Sequence, residues 1–380
     1  MLQLVIGTLR YHGGRTALSV LALAAAIAVM LLFEGFRSGL WGQLRAMPEQ
    51  LGADLVLSQS GVANFAAARS SLPQKTRRAA LNVEGVASAH ALTSLPIIFE
   101  RHDVATPVQV IAYVDVGAPA RLAAGRHIDG PREVVIDRSI AIDHALAVGD
   151  TLEVLGWEFE VVGISSGTAA MFTPAVFARY LDLVELYASG DLPDEVASDT
   201  PLLSYMLVRL EDDAQPDVVR DRLEAALPWA DAHTPSELGQ ADEAMGRRLM
   251  GPVLGLLVGL SYLIGALVVG LTLFGSVQAR VGDFAVIGAL GGDARTLSAV
   301  VLGEALGLTA ISFLVGLVGA LTGAAVIEWI QPDYVVSPLA EGALPRTALA
   351  VLLLGGLGAL WPLRRVLSID PALVFKGASC

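Results

Sequence analysis

Twenty-six consecutive residues, Pro252–Val277, contain no charged side chain. As a helix rising about 1.5 Å per residue, such a run covers the roughly 30 Å hydrocarbon core of a bilayer, where backbone polar groups must be satisfied internally. Three further apolar runs share this character, and their spacing is uneven. One lies near the N-terminus, a predominantly polar stretch of about two hundred residues follows, and three runs then succeed one another toward the C-terminus. The layout predicts a membrane protein with four transmembrane α-helices (1 + 3) and a large α+β extracytoplasmic domain inserted between helices 1 and 2. A cytoplasmic amphipathic segment occupies 1–15, helix 1 covers 16–34, and the domain with helical stalks covers 35–251. Helix 2 takes 252–277, a cytoplasmic segment 278–296, helix 3 297–327, an outer loop 328–346, helix 4 347–363 and a cytoplasmic tail 364–380.

Composition agrees with a mixed architecture. A mean hydropathy of +0.60 and 54% hydrophobic residues exceed what a water-soluble protein carries, yet fall short of a chain that is all membrane. The formal charge of −13 is also localised. Residues 36–250 hold 17 Lys/Arg against 30 Asp/Glu, and the remainder holds eight of each. The inserted domain is therefore acidic, which excludes nucleic acid as its partner. Cys380 is the only cysteine, so the chain makes no intramolecular disulfide.

Thr16–Phe33 follows Arg10, His12 and Arg15, like the basic flank of a signal peptide, but Glu34, Phe36, Arg37 and Trp41 follow it in place of a small-residue cleavage site. It reads as a retained helix. By the positive-inside rule both termini are cytoplasmic and the large domain is outside, with Arg364, Arg365 and Lys376 marking the C-terminal side. Glycines recur at four-residue spacing: Gly251, Gly255 and Gly259; Gly303 and Gly307; Gly319 and Gly323. Small faces of this kind let membrane helices pack closely, within one chain or between copies. Glu304 is an acid inside a span. It reads as a coupling group, as a structural partner of Arg295 or Arg280, or as a conduction site, because burying a carboxylate there costs several kcal/mol.

The domain's edges read as helices continuing the spans, Glu34–Leu51 at one side and Thr234–Met250 at the other, the latter capped by Thr234 or Ser236. Between them, strands are expected at Asp54–Ser58, Val86–Phe99, Pro107–Val114, Glu133–Ile136, within Thr151–Ile164 and at Leu203–Leu210. Helices are expected at Pro73–Val83 and from Pro216 to about Leu227. The arrangement is two βαβ-like halves around an interposed β-rich lobe, with 188–201 as an acidic loop.

Several chemistries are missing from the sequence. Only Lys75 and Lys376 are lysines, neither follows a glycine, and no G-x-x-x-x-G-K-[ST] phosphate loop occurs. The six histidines are scattered, with no pair at metal-binding helical spacing. Asp137, Asp143 and His144 read as solvated surface residues rather than a metal or acid/base cluster, and Ser139 and Ser166 have no nucleophile motif around them. No catalytic, cofactor or metal residue is assigned.

Residues 278–300 read QARVGDFAVIGALGGDARTLSAV. Phe284, Ile287 and Leu290 form an apolar stripe at i, i+3, i+6, and Gly291-Gly292 ends the short helix. This segment resembles the first cytoplasmic loop of the MacB/FtsX-type permeases of ABC transporters. Arg280, Asp283, Phe284, Ala285, Val286, Ala289, Leu290, Gly291 and Glu304 fit the family pattern, while Gly282 and Gly288 depart from it. Leu9–Leu18 resembles the family's amphipathic N-terminal segment, and AVGDTLEVLGWEFEVVGI resembles part of its external domain. Pro362–Phe375 is similar to its ending, through Pro362, Arg365, Asp370 and Pro371. The short length and the IDPALVFKG ending look most like the DevC-like exporter permeases.

The resemblance implies a homodimeric permease of the bacterial inner membrane, bound to a separate ATPase subunit that holds ATP and Mg. The coupling residues would be Arg280, Asp283, Phe284, Ala285, Ile287, Leu290 and Gly291. It further implies export or extrusion from the periplasmic side by mechanotransmission, with a periplasmic adaptor or membrane-fusion protein and membrane lipid as further partners. The alternative it leaves open is an FtsX-like regulator that transports nothing and activates an external partner such as a cell-wall hydrolase.

Overall fold

The computed structural model describes residues 13–66, 69–101, 104–154, 156–169, 173–189, 203–278, 294–340 and 342–367. The chain divides into two compact units. One comprises Met1–Gly39, Pro252–Trp329 and Val336–Cys380; the other comprises Leu40–Gly251 and Ile330–Val335.

The first unit is helical. It takes residues from α1 (Gly13–Glu49), α6 (Pro235–Gln278), α7 (Ala294–Ile330) and α8 (Ala343–Leu367). Among the described residues three helices are long and apolar enough to cross a membrane, Thr16–Glu49, Pro235–Ser276 and Ser298–Ile330, and α8 contributes the shorter apolar stretch Ala343–Leu357. Side chains such as Leu256, Leu267, Leu271 and Leu314 stay exposed because the hydrophobic phase around such helices is lipid. The interior is built from Leu23, Ile27, Met30 and Leu31 of α1 against Val269 and Leu273 of α6, Ala305, Leu308 and Ala320 of α7, and Val351 of α8. Small residues permit the approach: a Cβ at Gly316 would stand 2.7 Å from the Ala24 carbonyl, and one at Gly323 3.2 Å from Leu32.

The second unit is built on a mixed ten-stranded sheet. Its strands are β1 (Leu55–Gln59), β2 (Val86–Arg101), β3 (Val104–Tyr113), β4 (Leu122–Gly125), β5 (Glu133–Asp137), β6 (Thr151–Val154), β7 (Trp157–Ser165), β8 (Ala175–Arg179), β9 (Tyr205–Leu210) and β10 (Ala230–His233). The order is β10-β1-β9-β2-β3-β8-β5-β7-β4, with β6 on β7. Both β1 and β2 run antiparallel to β9, and β10 and β9 both run antiparallel to β1. The units β1-α2-β2 and β9-α5-β10 are therefore two split βαβ halves, with α2 at Thr76–Ala80 and α5 at Pro216–Ala226. Residues 104–189 form the inserted lobe, with α3 (Arg138–Asp143) and α4 (Tyr180–Ser189). The sixteen-residue β2 pairs with β9 through its first half and with β3 through its second, so lobe and halves share one sheet. The loop expected at 188–201 falls outside the described residues from 190 onward.

Candidate functional site

The residues expected to meet an ATPase, Arg280, Asp283, Phe284, Ala285, Ile287, Leu290 and Gly291, lie outside the described residues, as do Asp370 and Pro371. Glu304 belongs to α7 and Arg365 to the last turns of α8, with their side chains outside the description. Gly251, Gly255 and Gly259 are described, and no atom of the described residues stands within 4 Å of a Cβ built on any of them. Intrachain close approach occurs instead at Gly265, Gly316, Gly319, Gly323 and Gly355.

A different polar group organises the helical unit. Glu34 directly follows the uncharged run of α1, and Arg37 stands one helical turn on. The Glu34 side chain is 4% exposed. Arg37 Nη2 donates to Glu34 Oε2 at 2.6 Å, and Arg346 Nη2 of α8 lies 3.7 Å from the same oxygen. The Tyr262 hydroxyl of α6 stands 3.4 Å from Glu34 Oε1 and 3.0 Å from Thr347 Oγ1. A Cβ at Gly35 would meet the Pro338 nitrogen at 2.8 Å, and the Ser337 N–H donates to the Gly35 carbonyl at 3.0 Å. One buried carboxylate thus gathers side chains from three helices, and the backbone leading into α8 lies against the next residue, Gly35. A carboxylate so withdrawn from water persists only when paired and hydrogen-bonded. The arrangement offers neither a nucleophile nor a general base with a partner. What it supplies is an ionic fastening.

In the domain, the stretches of α1 and α6 that belong to this unit lie side by side. Gly239 admits the Arg45 carbonyl, Gly246 admits Leu44 and Trp41, and Arg247 stacks 5.4 Å from the Trp41 ring centroid. The α6 start is fixed by a capping box: Glu237 N–H donates to Thr234 Oγ1 at 3.2 Å, and Thr234 N–H to Glu237 Oε2 at 2.7 Å. Thr234, not Ser236, is the cap. Burial alone would raise the Glu237 carboxyl, but donation from Thr234 and the Arg220 charge prevail and lower it. Two turns along, the buried Asp242 carboxylate accepts the Phe65 and Ala66 N–H groups at 3.1–3.2 Å. Tyr205 donates to the carbonyls of Asn64 and Phe65 beside it, and burial, then the Asp242 charge, raises its phenol.

The expectation that Asp137 and His144 are solvated is corrected. Asp137 is buried at the start of α3, where it accepts from Ser139 N–H at 3.0 Å and Ser139 Oγ at 2.9 Å, and from Thr168 N–H and Oγ1. It is a helix cap, so its burial follows from its bonds. His144 Nε2 is 2.9 Å from Thr106 Oγ1, with the ring edge against Phe99. No cluster of potential metal ligands exists among the described residues. Near this cap, burial pushes the Asp333 carboxyl up, a Ser139 hydrogen bond opposes the shift, and the Asp137 and Asp143 charges add to it.

The Glu34 group was not identified from the sequence, although a signal was present. A carboxylate ending an apolar run, three residues before an arginine, is the pattern of an intrahelical ion pair. Its Tyr262 and Arg346 partners lie more than two hundred residues away and carry no local mark.

Comparison with known proteins supplies the remaining observations. The model of a MacB-like periplasmic core domain matches residues 16–226, and that of an FtsX-like permease C-terminal domain matches residues 255–371. An uncharacterized ABC transporter permease of Mycobacterium bovis is 25% identical over 99% of this chain and 100% of its own length. Another, from Mycobacterium tuberculosis, is 24% identical over 99% of this chain and 100% of its own. The periplasmic region of MacB from Actinobacillus actinomycetemcomitans aligns at 14% identity and TM-score 0.37, covering 51% of this chain and 95% of that one.

Proposed function

Because the chain belongs to the MacB/FtsX family of ABC transporter permeases, we propose that it converts ATP hydrolysis by a separate ATPase into movement of its extracytoplasmic domain, and thereby extrudes a substrate from the periplasmic side. The observation that carries this reading is the order of the two family matches, core domain over 16–226 and permease domain over 255–371. A permease of an ABC transporter works with an ATPase partner, and that partner binds ATP and Mg. The coupling segment around Asp283–Leu290 docks on it. Two copies of the chain form the working unit, and closure of the two ATPases draws the spans together. Helices α1 and α6 carry the displacement outward, so no substrate need pass between the spans. An adaptor meets the acidic domain on the periplasmic side. The basic residues Arg10, Arg15, Arg364, Arg365 and Lys376 support cytoplasmic termini in a bacterial inner membrane.

The test is affinity purification from the native membrane, with mass spectrometry and an ATP hydrolysis assay on the product. The expected result is a P-loop ATPase whose turnover depends on this chain, together with a periplasmic adaptor. A cell-wall hydrolase in place of the adaptor would transfer the role to regulation of that enzyme. Recovery of the chain with no ATPase would overturn the proposal.

A further inference from the structure

A groove of about 480 Å3 opens between the five-residue helix α2 and the start of α4. The floor is the cross-strand pair Ala91–Met206, flanked by Leu203 and Tyr180, all largely buried. Leu81 stands at the rim, 41% exposed. The opposite wall is polar: Gln74, Arg77 and Arg78. Arg77 donates Nε to the Ala89 carbonyl at 3.1 Å, which anchors the guanidinium on β2. Neither Arg77 nor Arg78 has a carboxylate within ion-pair distance among the described residues, although acids outnumber bases 30 to 17 across 36–250.

We propose that this groove is a binding site for a small amphiphilic carboxylate, its apolar body on Ala91, Met206, Leu203 and Tyr180 and its anion held by Arg77 and Arg78. The volume lies in the range of about 300–1,000 Å3 that small-molecule sites occupy, and an apolar floor with a few convergent polar groups is their usual chemistry. A guanidinium whose Nε is already committed presents its two terminal nitrogens as a fork to a carboxylate, which gives directional, charge-assisted bonds. A cationic ligand meets two like charges, and a purely polar one leaves the floor unpaid in apolar contact. The site stands on its lining, independently of the transporter reading.

The test uses the full chain in nanodiscs of zwitterionic lipid and titrates 1-naphthylacetate against its neutral analogue 1-naphthylacetamide by calorimetry, with empty nanodiscs as blank. The expected result is saturable binding of the carboxylate at least about tenfold tighter than the amide, a factor that corresponds to about 1.4 kcal/mol. The double substitution R77Q/R78Q should erase that preference while the chain still melts cooperatively, lowered by no more than the loss of the Arg77–Ala89 hydrogen bond. Leu81→Asp, which sets a competing carboxylate at the exposed rim, should weaken the acid and spare the amide. Equal affinity for the two probes, undiminished preference in R77Q/R78Q, or no saturable heat at millimolar probe would each overturn the proposal.

Discussion

The Glu34 group makes an asymmetric prediction. The carboxylate is almost wholly buried, whereas its partners Arg37 and Arg346 retain 24% and 54% side-chain exposure. Removing the acid lets both cations turn to water, but removing Arg37 strands a buried anion with only the more distant Arg346. Breaking a buried pair so that one charge is uncompensated costs about 3–5 kcal/mol, while a hydrogen bond lost to a solvated partner costs about 1 kcal/mol. Arg37→Met should therefore lower the melting temperature of the purified chain more than Glu34→Gln does; the reverse order would remove Glu34 from its place as the fastening group. A second residue-scale effect depends on pH. The Arg126 guanidinium, opposed by burial and aided by the Asp129 and Gly130 N–H groups, holds the Glu133 carboxyl down at about 2. Depressed below its unfolded value of 4.5, this group contributes stability that is complete above about pH 4.5 and disappears as pH falls toward 2. Glu133→Gln should melt below the native chain at pH 7, and the two melting curves should converge in acid. Individual residues were the least legible part of the sequence. Asp137 looked like a surface acid because its Thr168 donors come from a distant loop, although its place just before α3 marked a cap.

Elements were readable where one face is buried and the other wet. β2 and β3 were located from β-branched alternation, which their burial follows in part, and β7 from the turns that bound it. β8 was not, because it lies between β3 and β5 and four of its five residues are buried, which removes the alternation. The four-residue strands β4 and β10 are too short to declare a period; Ala230–His233 is a strand because β1 offers it a ladder. The two βαβ halves were legible since Pro216 and the apolar spacing around it mark α5. Their fusion with the lobe into one sheet was not, because it depends on how the two ends of β2 choose partners. At this scale the capping box of α6 is the exposed claim. Thr234→Ala removes the acceptor for Glu237 N–H and should cost about 1 kcal/mol, while Thr234→Ser should cost little. Equal losses from both substitutions in thermal unfolding would show that packing, not the hydroxyl, fixes this helix start.

For the whole molecule, the 1 + 3 layout was legible from four long apolar runs, because a bilayer imposes a minimum length on each span that no soluble helix must meet. The family was legible through the segment 278–300 together with Leu9–Leu18, residues 147–164 and Pro362–Phe375, and in 278–300 the apolar stripe Phe284, Ile287, Leu290 is spaced as on a helix, with no hydrophobic partner assigned by the sequence. If that stripe seats in an ATPase groove, a carboxylate placed on it must be desolvated without a counterion, at a cost of several kcal/mol to the complex. The spans would be indifferent, since the change lies outside every apolar run. Phe284→Asp and Leu290→Asp should each abolish co-purification of the ATPase and the ATP turnover that depends on the chain, with membrane insertion and melting temperature preserved. Conservative Phe284→Leu should keep both. Were the two aspartate variants to retain the ATPase, the contact would have to lie elsewhere on the cytoplasmic side, and the tail carrying Arg365, Asp370 and Pro371 would be the next surface to carry the same substitution.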